Sequence, residues 1–298
     1  MATTTKDREL ISADFLARLE QLDIVSRKIF AGRMKGERKS KRKGESVEFA
    51  DYRSYVVGDD LRFLDWNIYG RLERLFIKLF QAEEDLHVTI LLDLSKSMDW
   101  GSPAKGLYAK QVTAALAYIG LVNFDRVSVY TYDASLREEL AGLRTRRMMH
   151  HLIRFLQESE IEGTSNFAAT CKTFGLRASK HGVLLILSDF FDKGGFETGM
   201  KYLLAKHRDI YAIQILSPEE VDPTLMGDLR LIDIEDGDAA EVTVSRPLIN
   251  RYKQNLEAYC QSIRDYCSKR GVNYMLTSTD VDFEQLVLNY MRRRGLVR

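Results

Sequence analysis

Two stretches of this 298-residue chain constrain its fold more than any other feature. His87-Val88-Thr89-Ile90-Leu91-Leu92 runs into Asp93, and Val183-Leu184-Leu185-Ile186-Leu187 runs through Ser188 into Asp189. A strand wet on one face alternates apolar and polar residues, whereas a strand without alternation is buried on both. Both runs therefore read as central strands of a sheet covered by helices above and below. Each ends in a carboxylate, and open α/β sheets bind ligands just outside the carboxyl ends of their strands.

The rest of the chain supplies the cover. From about residue 84, helical and strand patterns alternate, as a mostly parallel sheet requires. Helices are expected over 105–122, 146–157, 167–178 and 196–206, with strands over 126–132 and 209–216. Residues 229–245 break the alternation and read as a β-hairpin around a polar turn at Asp236-Gly237-Asp238. A long helix over 248–268, a strand over 273–277 and a helix over 283–293 follow. The fold class is α/β: a doubly wound, mostly parallel sheet with helices on both faces, plus a smaller N-terminal segment of helix and short strands.

That N-terminal segment, 1–83, has a different texture from the domain over 84–298. An amphipathic helix is expected over 13–30, with Phe15, Leu16, Leu19, Leu22 and Ile24 on its apolar side. Seven basic residues between Arg33 and Lys43 form a glycine-flanked loop, and charged and aromatic residues interleave over 48–81. Gly58-Asp59-Asp60 and Asp65-Trp66 are expected to hold this segment through turn bonds, arginine–carboxylate pairs and aromatic burial.

Composition narrows the functional classes. A net charge of +1 argues against bulk nucleic-acid binding, and no aromatic residues interleave the basic run at 33–43. No apolar stretch has the length of a membrane span, and the first residues lack the apolar core of a secretory signal. Three cysteines, Cys171, Cys260 and Cys267, form no metal-binding pair. The expected compartment is the cytoplasm.

Three loops carry hard oxygen donors: Asp93, Ser95 and Ser97 after the first strand, Thr164 in Gly163-Thr164-Ser165, and Asp189 after the second buried strand. Two carboxylates and three hydroxyls at one sheet edge would suit Mg²⁺, which prefers oxygen ligands. Asp93-x-Ser95-x-Ser97 with Thr164 and Asp189 resembles the metal-ion-dependent adhesion site of von Willebrand factor A domains. Upstream, the run from Tyr52 to Trp66, containing Gly58-Asp59-Asp60-Leu61-Arg62, together with Lys78-Leu79-Phe80-Gln81-Ala82-Glu83, resembles the signature of the bacterial DUF58 family.

The resemblance implies a Rossmann-type, von Willebrand A-like domain that binds Mg²⁺ or Mn²⁺. Ser95, Ser97 and Thr164 would be hydroxyl ligands, while Asp93 and Asp189 would reach the ion directly or through water. The sixth position would be left for a partner's carboxylate. It further implies a non-catalytic adaptor or chaperone-like partner of a MoxR-type AAA+ ATPase. Relatives commonly carry N-terminal transmembrane helices, which this sequence lacks.

Other readings are weaker. Asp93 could be the nucleophile of a Mg²⁺-dependent phosphoryl-transfer enzyme, but Ser95 stands where such phosphatases want an acid. Ser102-Pro103-Ala104-Lys105 has the Ser-x-x-Lys spacing of acyl-transfer enzymes without their companion motifs. A nucleic-acid binder would act through the 33–43 loop. Ser95 and Ser97 could also simply cap a following helix.

Overall fold

The computed structural model describes residues 10–24, 47–82, 86–177, 182–205, 209–293 and 296–297. They divide into two compact units, one from residues 32–85 and the other from 1–31 with 86–298. The basic loop at 33–43 lies outside the described residues.

In the smaller unit, β1 (Val47–Ser54) pairs antiparallel with β2 (Phe76–Ala82), with a bulge between Phe49 and Asp51. A helix, Trp66–Leu72, lies between them in sequence. Asp65 organises the turn. It caps that helix by accepting from the amides of Asn67 and Ile68, and it also takes the Tyr52 hydroxyl at 3.1 Å and the Lys78 ammonium at 3.0 Å. Arg53 grips Asp59 with two bonds, at 2.7 and 2.6 Å. The expected turn bonds and ion pair thus form. Aromatic burial does not, because Trp66 is 65% exposed and Phe63 and Tyr69 are exposed too. Their helix and turn are held by Asp65 rather than by a core of their own.

The larger unit is built on one six-stranded sheet. Its strands are β3 (His87–Asp93), β4 (Arg126–Tyr132), β5 (Leu136–Leu143), β6 (Val183–Ser188), β7 (Asp209–Leu216) and β10 (Asn273–Ser278). The order is β10-β7-β6-β3-β4-β5, and every pair is parallel except β4 with β5. The chain winds outward from β3 on one side, then returns to place β6 on the other. The carboxyl ends of β3 and β6 are therefore the topological switch point, where doubly wound sheets bind ligands.

The two apolar runs divide between the two faces, as a period of two demands. Val88, Ile90, Leu92, Leu185 and Leu187 join one core cluster, while Leu91, Leu184 and Ile186 join the other. The first is covered by the helix Lys105–Val122, which is buried almost throughout. That helix meets β3 and β4 and also the helices Ala13–Leu19 and Met149–Glu158. The second is covered by Phe167–Arg177, Glu197–Leu204 and Arg246–Lys269, which contribute Cys171, Phe174, Met200, Leu203, Ile263 and Cys267. Gly182 enters β6 at φ +112°, and a Cβ there would lie 2.0 Å from the His87 carbonyl oxygen, so only glycine fits.

The first helix and strand β5 differ from expectation. The first helix stops at Leu19, capped at its start by Ser12. Residues 20–24 continue without helix to Ile24, which bridges to Val297, and 25–30 lie outside the described residues. Residues 10–24 belong to the core of the larger unit, although their sequence groups them with the N-terminal segment. There Phe15 is 1% and Leu19 0% exposed. Strand β5 has no counterpart in the sequence reading, because an edge strand with mostly half-wet positions shows no apolar run. The hairpin β8 (Gly227–Ile232) and β9 (Ala239–Val244) forms near the expected place as a separate two-stranded sheet. Among the described residues, no helix is long and apolar enough to cross a membrane.

Candidate functional site

The chain leaves β3 through a tight polar turn that fixes three side chains. Asp93 is 1% exposed, and its Oδ1 accepts from the Ser95 amide at 3.0 Å and the Ser95 hydroxyl at 2.7 Å. A short 3₁₀ turn, Lys96–Asp99, follows with Ser95 at its start. It brings the Ser97 hydroxyl to 3.1 Å from that of Ser95. Asp93, Ser95 and Ser97 thus form one connected chain of oxygens that runs outward from the sheet edge.

The other carboxylate oxygen is equally engaged. Asp93 Oδ2 accepts from the Ser188 hydroxyl at 2.6 Å and from the Tyr132 hydroxyl at 3.0 Å. Burial pushes the Asp93 carboxyl up to about 6, and the charge of Asp189 adds to the rise, against the pull of the Ser188 and Ser95 hydrogen bonds. A cation bound beside a buried carboxylate that feels a second carboxylate's charge would offset both the burial and the repulsion.

Two backbone bonds bring the Thr164 loop alongside. The Lys96 amide donates to the Gly163 carbonyl and the Glu162 amide to the Leu94 carbonyl, both at 2.9 Å. Gly163 adopts φ +80°, and a Cβ there would lie 2.7 Å from Asp133 Oδ2. Thr164 follows it and is exposed. Ser165 and the start of the helix Phe167–Arg177 are held by Asp192, whose Oδ2 accepts from the Ser165 hydroxyl at 3.2 Å and the Phe167 amide at 2.7 Å.

Asp189 is placed differently. Its Oδ1 accepts from the Phe191 amide at 3.0 Å, and its Oδ2 from Lys105 Nζ at 2.7 Å. Lys105 is wholly buried at the head of its helix, and its ammonium also bonds Glu220 Oε1 at 2.5 Å. Burial alone would lower its pKa, but the charges of Asp189 and Glu220 outweigh it and the ammonium is stabilised. Lys105 is thus committed to ion pairs with Asp189 and Glu220, a poor state for the base of a Ser-x-x-Lys nucleophile.

One further carboxylate reaches the site. Glu235, in the turn of the β8–β9 hairpin, accepts from the Ser165 amide at 3.2 Å, and the nearby Ser97 hydroxyl favours its charged form. Burial raises its pKa, with the charges of Asp189 and Asp233 adding to the rise.

The structure therefore joins Asp93, Ser95 and Ser97 in one network, sets Asp189 within electrostatic reach, and carries Thr164 on the adjoining loop. The sequence reading missed Tyr132, Ser188, Lys105 and Glu235. Ser188 and Tyr132 had a signal, since both end strands that flank β3 in the sheet. Among the described residues, no three His, Cys, Asp or Glu side chains converge as metal ligands. The donors here are instead two carboxylates and three hydroxyls, all hard oxygens, a set whose chemistry fits Mg²⁺ or Mn²⁺.

The pattern of a protein family described as "Protein of unknown function DUF58" matches residues 51–261. An uncharacterized protein of Mycobacterium tuberculosis (strain H37Rv) is similar, at 21% identity over 286 residues, 94% of this chain and 90% of that protein. An uncharacterized protein of Mycobacterium avium is 25% identical over 118 residues, 39% of this chain and 69% of that protein. Among solved structures, the conserved hypothetical protein BatB from Bacteroides thetaiotaomicron matches 70% of this chain and 98% of its own, with 14% identity and a TM-score of 0.44. An aerotolerance-related membrane protein from Bacteroides fragilis matches 70% and 99%, with 12% identity and a TM-score of 0.45.

Proposed function

For a chain that belongs to the DUF58 family, we propose a protein-interaction module of the von Willebrand A kind, in which a Mg²⁺ or Mn²⁺ ion receives a carboxylate from a protein partner. The observation that carries this reading is the oxygen chain Asp93–Ser95–Ser97 at the switch point between β3 and β6. Ser95, Ser97 and Thr164 would give hydroxyl oxygens to the ion, and Asp93 its negative charge. Asp189, already paired with Lys105, suits contact through water. The ion would supply a Lewis-acidic point for an incoming oxygen, which is recognition and needs no bond to break.

The partner in this reading is a MoxR-type AAA+ ATPase or its client. The sequence contains no Gly-x-x-x-x-Gly-Lys-Ser/Thr phosphate loop, so any nucleotide hydrolysis would be the ATPase's. Residues 84–298, with 10–24 packed into their core, would form the binding domain, and the module would work beside its ATPase in the cytoplasm. A phosphoryl-transfer enzyme with Asp93 as nucleophile is disfavoured. Both of that carboxylate's oxygens already accept hydrogen bonds, and the side chain is 1% exposed.

Calorimetric titration with Mg²⁺ or Mn²⁺, followed by pull-down with a purified MoxR-type ATPase from the same organism, tests the reading. Asp93→Ala and Ser95→Ala are expected to abolish ion binding and ATPase capture while keeping the far-UV spectrum. Undiminished capture by the double variant in chelator would sink it.

A further inference from the structure

The β8–β9 hairpin is poorly held for an element so close to the site. Both strands are exposed or half-exposed along their length, with Ile232 at 64% and Leu231 at 46%, so the hairpin adds nothing to either core cluster. Its turn is anchored by polar contacts. Lys193 pairs with Asp233 at 2.9 Å and with Asp236, and Glu235 accepts from the Ser165 amide at 3.2 Å. Exposed ion pairs of this kind contribute little each and weaken with salt. The element is therefore tied to the site by bonds that water can replace.

Glu235 enters at the outer end of the oxygen network. The Ser97 hydroxyl is near enough to favour its charged form, and Ser97 Oγ lies 3.1 Å from Ser95 Oγ, which in turn bonds Asp93. On its other side it meets the residue directly after Thr164. We propose that Glu235 is the site's resident carboxylate, covering the face of the ion that a partner's carboxylate would take, and that the hairpin is a lid the partner displaces. The inference rests on the ion-site reading above. It adds that binding is an exchange of one carboxylate for another, so the ion is not open to every passing acid.

The test uses the full chain with Mn²⁺ as the probe. Water-proton relaxation counts the fast-exchanging waters on bound Mn²⁺, and amide hydrogen exchange over 227–244 reports the lid. Glu235→Ala is expected to bind Mn²⁺ several-fold more weakly, with about one more water on the ion. Its hairpin amides should exchange faster with or without metal, while those of β3 and β6 stay unchanged. Excess acetate should remove the additional water from the variant and leave the wild type unaltered. Wild-type Mn²⁺ affinity, water count and hairpin exchange in Glu235→Ala would overturn this inference and leave the ion site standing. Failure of the wild type to bind Mn²⁺ any better than Ser95→Ala would overturn the ion-site reading and this inference with it.

Discussion

Lys105 Nζ lies 2.7 Å from Asp189 Oδ2, and neither side chain is more than 3% exposed. A covalently fixed cation therefore already stands at one of the two sheet-edge aspartates. It also meets Glu220, which closes the capping box of the short helix Pro218–Val221 at the end of β7, so one ammonium ties the ends of two strands together.

Removing that ammonium leaves buried Asp189 and half-buried Glu220 without this counter-charge. Lys105→Ala is expected to lower stability by about 3–5 kcal/mol, the usual loss when one partner of a buried pair is deleted. Lys105→Met restores most of the volume and should recover only the packing part. Urea unfolding of the two variants separates the contributions, and a wild-type midpoint for Lys105→Ala would show the pair to be inert.

Two aspartates should give opposite responses to pH. The folded Asp93 carboxyl is raised to about 6, chiefly by burial, above its value in the unfolded chain. Its contribution is fully present below about pH 4 and is lost as pH rises through 6. Asp65 is lowered to about 2, first by its bond with Lys78, so its contribution is present above about pH 4 and is lost as pH falls through 2. In metal-free buffer, Asp93→Asn should flatten the thermal midpoint between pH 4 and 7, and Asp65→Asn that between pH 2 and 4. Exchanged windows would show the two environments to be wrongly assigned.

Gly163 needs both its missing side chain and its positive φ. Gly163→Ala forces a Cβ against Asp133 in a conformation that costs L-residues roughly 1–2 kcal/mol. The loop from Glu162 to Asn166 should shift, and chemical shifts at Lys96 and Ser165 should move with it. A stable variant with unchanged shifts there would show that the loop does not depend on this glycine.

Tyr132 and Ser188 both donate to Asp93 Oδ2. Tyr132→Phe and Ser188→Ala should each cost about 1–3 kcal/mol, as expected when a buried acceptor loses a donor. The double variant should cost more than their sum, because the last donor to that oxygen is gone. Strict additivity of the two losses would mean that they do not share one acceptor.

The central strands were legible because burial on both faces leaves an unbroken apolar run, as in Val183–Ser188. Strand β5 was not. Leu136, Leu140 and Leu143 carry the spacing of a helix face instead of strand alternation, since the strand's place is fixed by pairing with β4 at an edge. The turn after β3 could be read from spacing, because a hydroxyl two residues beyond Asp93 reaches its carboxylate and one two residues further reaches that hydroxyl. Lys105 could not, since a lysine at the head of a helix is normally solvated and only the fold reveals Asp189 and Glu220 facing it. Glu235 was hidden for a similar reason. Polar residues in a hairpin turn are the rule, and nothing local marks one that reaches back across some seventy residues to Ser165.

The helix Ala13–Leu19 sets a condition on the order in which the protein can mature. Phe15 stacks edge-on against Phe283 at 5.4 Å, Arg18 pairs with Glu284, and Ile24 bridges to Val297. Residues 15–24 therefore wait for partners made much later in the chain. On the ribosome, the side of this helix that faces residues 283–297 stays bare until they have emerged, and the nascent chain has reason to be shielded until then.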